Sequence, residues 1–145
     1  GRLIGVNTAI YSPSGASSGV GFAVPADVVA AIVPQLIRHG KVVRPGLGIN
    51  MADDSILRRA GIPGVHIRDV AAGSAADKAG LLPTRRDRYG RILLGDIIVA
   101  VDGKEVNDSD DLYRALDQKA VGQTAKVTVL RDGKKRELTV RLQAI

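Results

Sequence analysis

The residues best suited to chemistry lie in Arg44-Pro45-Gly46-Leu47-Gly48-Ile49-Asn50-Met51. Two glycines flank a leucine, and a strand-forming run follows. Gly46 and Gly48 can take backbone angles closed to other residues, so successive N–H groups can point inward as a small anion-binding nest. The natural guest of such a nest is a peptide C-terminal carboxylate, with the rest of the peptide adding as a strand along Ile49–Met51. Taken alone, Gly46–Ile49 also fits an ordinary turn, and both readings stay open at this point.

Other candidate chemistry is weaker. Gly15-Ala16-Ser17-Ser18-Gly19 matches G-x-S-x-G, and Asp53 and His66 follow in Ser–Asp–His order. A nucleophile elbow, however, needs a strand, a sharp turn and then a helix. This segment joins two strand-like runs through small residues and reads as a loop. His66 falls in the middle of a strand pattern, where a structural or surface role is commoner. His39 ends a helix, where its partial positive charge suits the carbonyl end. Arg85-Arg86-Asp87-Arg88-Tyr89-Gly90-Arg91 could hold phosphates or stack a base; a solvated, charged insertion is commoner, and no nucleic-acid partner is expected. The carboxylates are scattered, the two histidines lie far apart and there is no cysteine. Neither a metal site nor another cofactor is indicated, and disulfides are excluded.

These residues need elements to hold them. Arg2–Tyr11 and Val20–Val24 read as strands, with a loop of small residues over Ser12–Gly19 between them. From Asp27 a helical pattern runs through Val28, Val29, Ile32, Leu36 and Ile37. Pro34 should kink or split it, and Gly40 should end it. Asp53 or Asp54 caps a short helix over Ser55–Ala60. Val65–Val70 alternates as a half-buried strand. Ser74 caps a helix over Ala75–Ala79, and Leu81–Arg91 is a long loop. Ile97–Val101 turns at Asp102-Gly103 into Lys104–Val106. Asn107 or Asp108 caps a main helix over Ser109–Lys119, and Thr124–Leu130 pairs with Lys134–Leu142 about Asp132-Gly133.

The 145 residues suit one full domain or one small domain plus an appendage. Hydrophobic residues make up 45% but aromatics only 3%, so the core must be aliphatic. No apolar run reaches the roughly 20 residues needed to span a bilayer. The chain opens on Gly1-Arg2-Leu3-Ile4 without an initiator Met or signal-peptide pattern, and reads as a fragment or processed product. Its net charge of +6 is uneven: residues 1–40 hold two basic and one acidic residue, residues 41–145 nineteen and fourteen. The break near Gly40 marks a candidate boundary between 1–40 and 41–145, since two strands and a helix cannot close a core of their own.

Two motifs give the chain a family resemblance. Gly46-Leu47-Gly48-Ile49 resembles the GLGF-type carboxylate-binding loop of PDZ domains. Gly1-Arg2-Leu3-Ile4-Gly5-Val6-Asn7-Thr8, a short loop, and Gly19-Val20-Gly21-Phe22-Ala23-Val24-Pro25 are similar to the end of the protease domain of HtrA/DegP-type serine proteases. The two sit in the order and at the separation found in that family. The resemblance implies an α+β fold: a PDZ-like, partly open β-barrel with one main helix, in the circularly permuted HtrA form. A β-hairpin and helix left from a trypsin-like β-barrel domain precede it. It implies that Leu47, Gly48 and Ile49 amides bind a peptide carboxylate, with help from Arg44. Gly46, Ile49, Met51, Leu112 and Leu116 would then line the groove, Leu112 and Leu116 lying one helical turn apart; at that spacing they also fit plain core positions. Ser12, Gly15, Ser17 and Gly19 would belong to a specificity loop beside the protease pocket.

The family's His–Asp–Ser triad lies upstream of Gly1, and its Gly-x-Ser-Gly-Gly motif is absent here. The resemblance therefore assigns this chain no catalytic residues and no activity alone. It implies a parent serine endopeptidase acting in protein quality control, exported to a periplasm, cell envelope or thylakoid lumen, and homotrimeric or larger. Membrane association of that parent is left open. Expected partners are unfolded proteins or peptide C-termini and the remainder of the protease domain. The competing readings are a stand-alone peptide-binding adaptor and a nucleic-acid-binding module.

Overall fold

Local signals account for most of the elements in the computed structural model, which describes residues 1–145. The chain divides into two compact units, Gly1–Val43 and Arg44–Ile145.

In the first unit, β1 (Gly5–Ile10) and β2 (Gly21–Pro25) pair antiparallel with an irregularity between Asn7 and Ala9. The helix α1 (Ala26–His39) follows directly. Asp27 in its first turn and Arg38 and His39 in its last complement the helix dipole. Gly40 ends it at φ 68°, its N–H donating to Leu36 O at 2.9 Å. Of the expected kink or split at Pro34, the split does not occur: α1 runs unbroken through that residue. The carbonyl that loses its N–H partner there belongs to Ala30, which is exposed, so water can satisfy it. No residue of this unit is buried, and Ile4, Ile10, Tyr11, Phe22 and Ile37 are among its exposed apolar side chains.

The second unit holds the core. It begins with β3 (Pro45–Gly46), β4 (Ile49–Met51), α2 (Asp54–Arg59), β5 (Val65–Val70) and α3 (Ala75–Ala79). Next come β6 (Arg85–Arg86), β7 (Ile92–Leu93), β8 (Ile97–Val101) and β9 (Lys104–Glu105). The main helix α4 (Ser109–Asp117) and the strands β10 (Thr124–Arg131), β11 (Lys134–Arg141) and β12 (Gln143–Ala144) complete it. The principal sheet runs β11-β10-β8-β5-β4, all antiparallel, with β9 paired to β8; β12–β3 and β6–β7 form separate ladders. The partly open barrel is thus realised as open sheets without closure. Both Asp-Gly turns have positive φ at both residues (Asp102 49°, Gly103 78°; Asp132 51°, Gly133 74°), the backbone that tight hairpins require.

The core is aliphatic, as the shortage of aromatics demands. Val65, Ile67, Ile98, Leu112, Val127, Val129 and Val140 are among its fully enclosed members. Ala125, Val127 and Val129 alternate inward along β10. The expected alternation of β5 fails at its start, where Val65, His66 and Ile67 are all buried. That strand lies between β4 and β8, and the Leu82–Thr84 segment covers His66. One ion pair is enclosed: Arg131 donates from Nε and Nη2 to the two oxygens of Asp96, both at 2.7 Å, while Leu82 N–H donates to Asp96 Oδ2 at 2.9 Å.

Candidate functional site

The glycine loop is built by close contact from behind. At Gly48, φ is 79°, and a Cβ there would stand 2.5 Å from Ser74 Cβ and 2.8 Å from Gln143 Nε2. Only glycine satisfies both the backbone angle and the space. The loop's carbonyls turn inward: Leu47 O accepts from Ala76 N at 2.8 Å, and Gly48 O from Ala71 N at 3.1 Å. Ser74 caps α3 by accepting from Asp77 N, and Gln143 Oε1 accepts from Ala75 N at 2.7 Å. Leu47 is 2% exposed and anchors the loop in the core.

That arrangement leaves the loop's donors free. The N–H groups of Leu47 and Gly48 bond to no other residue of the chain. Ile49 faces Val70, and the Ala71 N to Gly48 O bond makes this a non-hydrogen-bonded pair. The N–H and C=O of Ile49 therefore point away from β5. Since β4 ends the strand order, its outer edge is open to a further strand.

Beside that edge lies an apolar cavity of about 160 Å³, lined by Gly46, Leu47, Gly48, Ile49, Met51, Leu112 and Leu116 together with Tyr113 and Ile145. All seven residues that the sequence assigned to the loop and groove, Arg44 apart, thus meet at one place. Leu112 and Leu116 are 1% and 4% exposed, so the cavity wall is also core. The helix carrying them is capped by Asp108, whose side chain accepts from Asp111 N at 2.9 Å. Asp111 Oδ2 in turn accepts from Asn107 N at 3.1 Å. Ser109 Oγ donates to Asp54 at 2.6 Å, tying the start of α4 to α2.

Two lining residues escaped the sequence reading. Ile145 arrives because β12 pairs with β3, placing its side chain 2.6 Å from where a Cβ on Gly46 would be. Tyr113 follows Leu112 on α4 and is 43% exposed, at the groove rim. Arg44 is exposed and does not line the cavity; its backbone pairs in both directions with Ile145.

Ser12, Gly15, Ser17 and Gly19 lie in the first unit, in the loop between β1 and β2. Ser12 donates to Ala16 O, Ser18 donates to Tyr11 O, and Ser17 Oγ accepts from Gly19 N at 3.4 Å. A loop between two strands has no nucleophile elbow. His66 Nε2 is 2.7 Å from Thr84 Oγ1. Thr84 Oγ1 donates to Ile67 O and accepts from Gly95 N, so it can only accept from His66 Nε2–H. Nδ1 is then an unprotonated, buried atom without a partner. Burial holds the imidazole pKa below its ordinary value.

The segment that begins on this loop decides the family: residues 45–142 match the family model described as PDZ domain. The chain belongs to the PDZ-domain family. Its PDZ domain starts at Pro45, and the residues before it are also shared with relatives. The chain is 54% identical over 143 residues to "Protease Do-like 1, chloroplastic" of Arabidopsis thaliana, covering 99% of this chain and 33% of that protein. It is 35% identical over 151 residues to "Probable periplasmic serine endoprotease DegP-like" of Brucella suis, covering 100% of this chain and 27% of that one. Among solved structures, "HtrA-type protease AlgW with decapeptide" aligns with a TM-score of 0.71 at 31% identity, over 99% of this chain and 42% of that chain. The chain thus spans about a third of the length of these curated relatives.

Proposed function

We propose that the PDZ domain binds the free C-terminal end of extended, unfolded polypeptide. The observation that carries this reading is the set of N–H groups left without a partner at Leu47 and Gly48 and turned away from β5 at Ile49, on residues that line an apolar cavity beside an open strand edge. A terminal carboxylate accepts from those donors, the peptide backbone continues along β4, and an apolar terminal side chain enters between Ile49, Met51, Leu112 and Leu116. The flexible thioether of Met51 lets the pocket accept varied aliphatic ends. Arg44, at the loop entrance, supplies positive charge to the approaching carboxylate.

For the whole protein, of which this chain is a piece, we infer an HtrA/DegP-type serine endopeptidase acting in protein quality control. Residues 1–40 are then the end of its trypsin-like domain, and Ser12–Gly19 its specificity loop. The unburied apolar side chains of that unit fit a segment whose core partners lie elsewhere in the protease domain. The names of the relatives, chloroplastic and periplasmic, favour an exported parent, and we infer a homotrimer or larger assembly.

The test is a titration of the chain with peptides ending in an aliphatic residue, each compared with its C-terminally amidated twin. The reading predicts binding that amidation weakens at least tenfold, about 1.4 kcal/mol or more. Equal affinity for both twins would leave the glycine loop a plain turn.

A further inference from the structure

The β6–β7 hairpin takes no part in the groove, yet it is the most chemically distinctive surface of the second unit. Its two strands pair only with each other, Arg85 opposite Leu93 and Arg86 opposite Ile92. Ile92, Leu93 and Leu94 are 59%, 42% and 71% exposed. Successive side chains of a strand point to opposite faces, so neither face of this ribbon is covered. The tip is held by one carboxylate: Asp87 Oδ1 accepts from Tyr89 N at 2.8 Å and Arg91 N at 2.9 Å, and Oδ2 from Arg91 Nε at 2.8 Å. The one carboxylate of the hairpin is thereby engaged with Arg91, and Arg85, Arg86 and Arg88 keep their charge toward solvent.

We propose that this hairpin is a peripheral membrane contact that seats on a bilayer surface rich in anionic phospholipid. Three aliphatic side chains and a tyrosine beside a cluster of arginines match the layered chemistry of such a surface. The aliphatic groups enter the headgroup–acyl boundary, the aromatic ring sits at the interface, and long arginine stems carry guanidinium groups to the phosphates. Single-stranded nucleic acid would also meet the charge, but it binds by stacking bases on free aromatic faces. Here the Tyr89 ring is already flanked by the Arg88 guanidinium at 4.9 Å from its centroid and that of Arg91 at 5.5 Å. Ile92, Leu93 and Leu94 offer nothing to stack on. The hairpin's role is independent of peptide binding in the groove.

The chain contains no tryptophan, so Tyr89→Trp installs a single reporter in the 145-residue chain. With mixed phosphatidylglycerol–phosphatidylcholine vesicles its emission shifts to the blue and is quenched by brominated acyl chains; with phosphatidylcholine alone neither occurs. In co-sedimentation of the otherwise unaltered chain, Arg86→Glu with Arg88→Glu weakens binding to the anionic vesicles more than about tenfold. Ile92→Ser with Leu94→Ser also weakens it. Lys134→Glu with Lys135→Glu, at the exposed start of β11, has a smaller effect than the arginine pair. The proposal is overturned by an unquenched reporter, by equal binding to both vesicle types, or by equal losses from the lysine and arginine pairs. An oligonucleotide that protects the reporter from aqueous quencher better than anionic vesicles do would also overturn it. All hairpin positions altered are exposed, so thermal melts of the variants should match the parent chain.

Discussion

Gly48 concentrates several demands on one residue: a φ of 79°, a wall of Ser74 and Gln143 where a side chain would go, and two flanking peptide groups whose carbonyls both turn inward. A Gly48→Ala change should cost about 1–3 kcal/mol of stability. It should also weaken binding of a carboxylate-ended peptide by more than tenfold, through displacement of the Leu47 and Gly48 N–H groups; denaturant melts and peptide titration measure the two. His66 makes a different prediction. Its folded pKa is depressed by burial, so its contribution to stability is full above the unfolded imidazole value of about 6.5 and is lost as pH falls from there toward the folded value. Melting temperature should therefore drop on acidification from pH near 7 toward 5 (roughly the imidazole range). The drop should be smaller in His66→Gln, which can still donate to Thr84. A pH profile unchanged by that substitution would show that His66 does not carry the dependence.

The groove depends on α4, and α4 depends on its first turn. Asp108 accepts from Asp111 N, and Asp111 reaches back to Asn107. Asp108→Ala should cost about 1 kcal/mol and raise the peptide dissociation constant several-fold, because Leu112 and Leu116 ride on this helix. Unchanged peptide affinity with the stability loss present would separate α4 from the site. This cap was readable in advance only as Asn107 or Asp108, and that of α2 only as Asp53 or Asp54; the Ser74 cap and the two Asp-Gly turns were readable outright, because each is a local signal of a few residues. What was not readable is non-local. Ile145 joins the groove through a ladder with β3, about a hundred positions away, that no periodicity encodes. The β6 strand is two arginines, held in a hairpin by the Asp87 side chain rather than by strand-forming residues. The helix α4 ends at Asp117, short of the expected Lys119, whose ammonium instead bridges Asp102 at 2.7 Å.

The two units of the chain differ in kind. The second has a closed aliphatic core and a groove assembled from both ends of its sequence; the first has a hairpin and a helix with no buried residue. No helix is long and apolar enough to cross a membrane. The aliphatic bias was plain from composition, and the glycine loop was plain from its spacing. Whether that loop was a turn or a nest was not, because the answer lies in which way the peptide groups face. Gly48 O turns inward only because Ala71 N is there to meet it. The most direct test of the central claim is an amide-resolved NMR titration of the chain with a carboxylate-ended peptide and its amidated twin. The account predicts large shifts of the Leu47, Gly48 and Ile49 amides with the free carboxylate, and their loss with the amide. Shifts that are the same for both peptides, or that fall elsewhere on the domain, would contradict it.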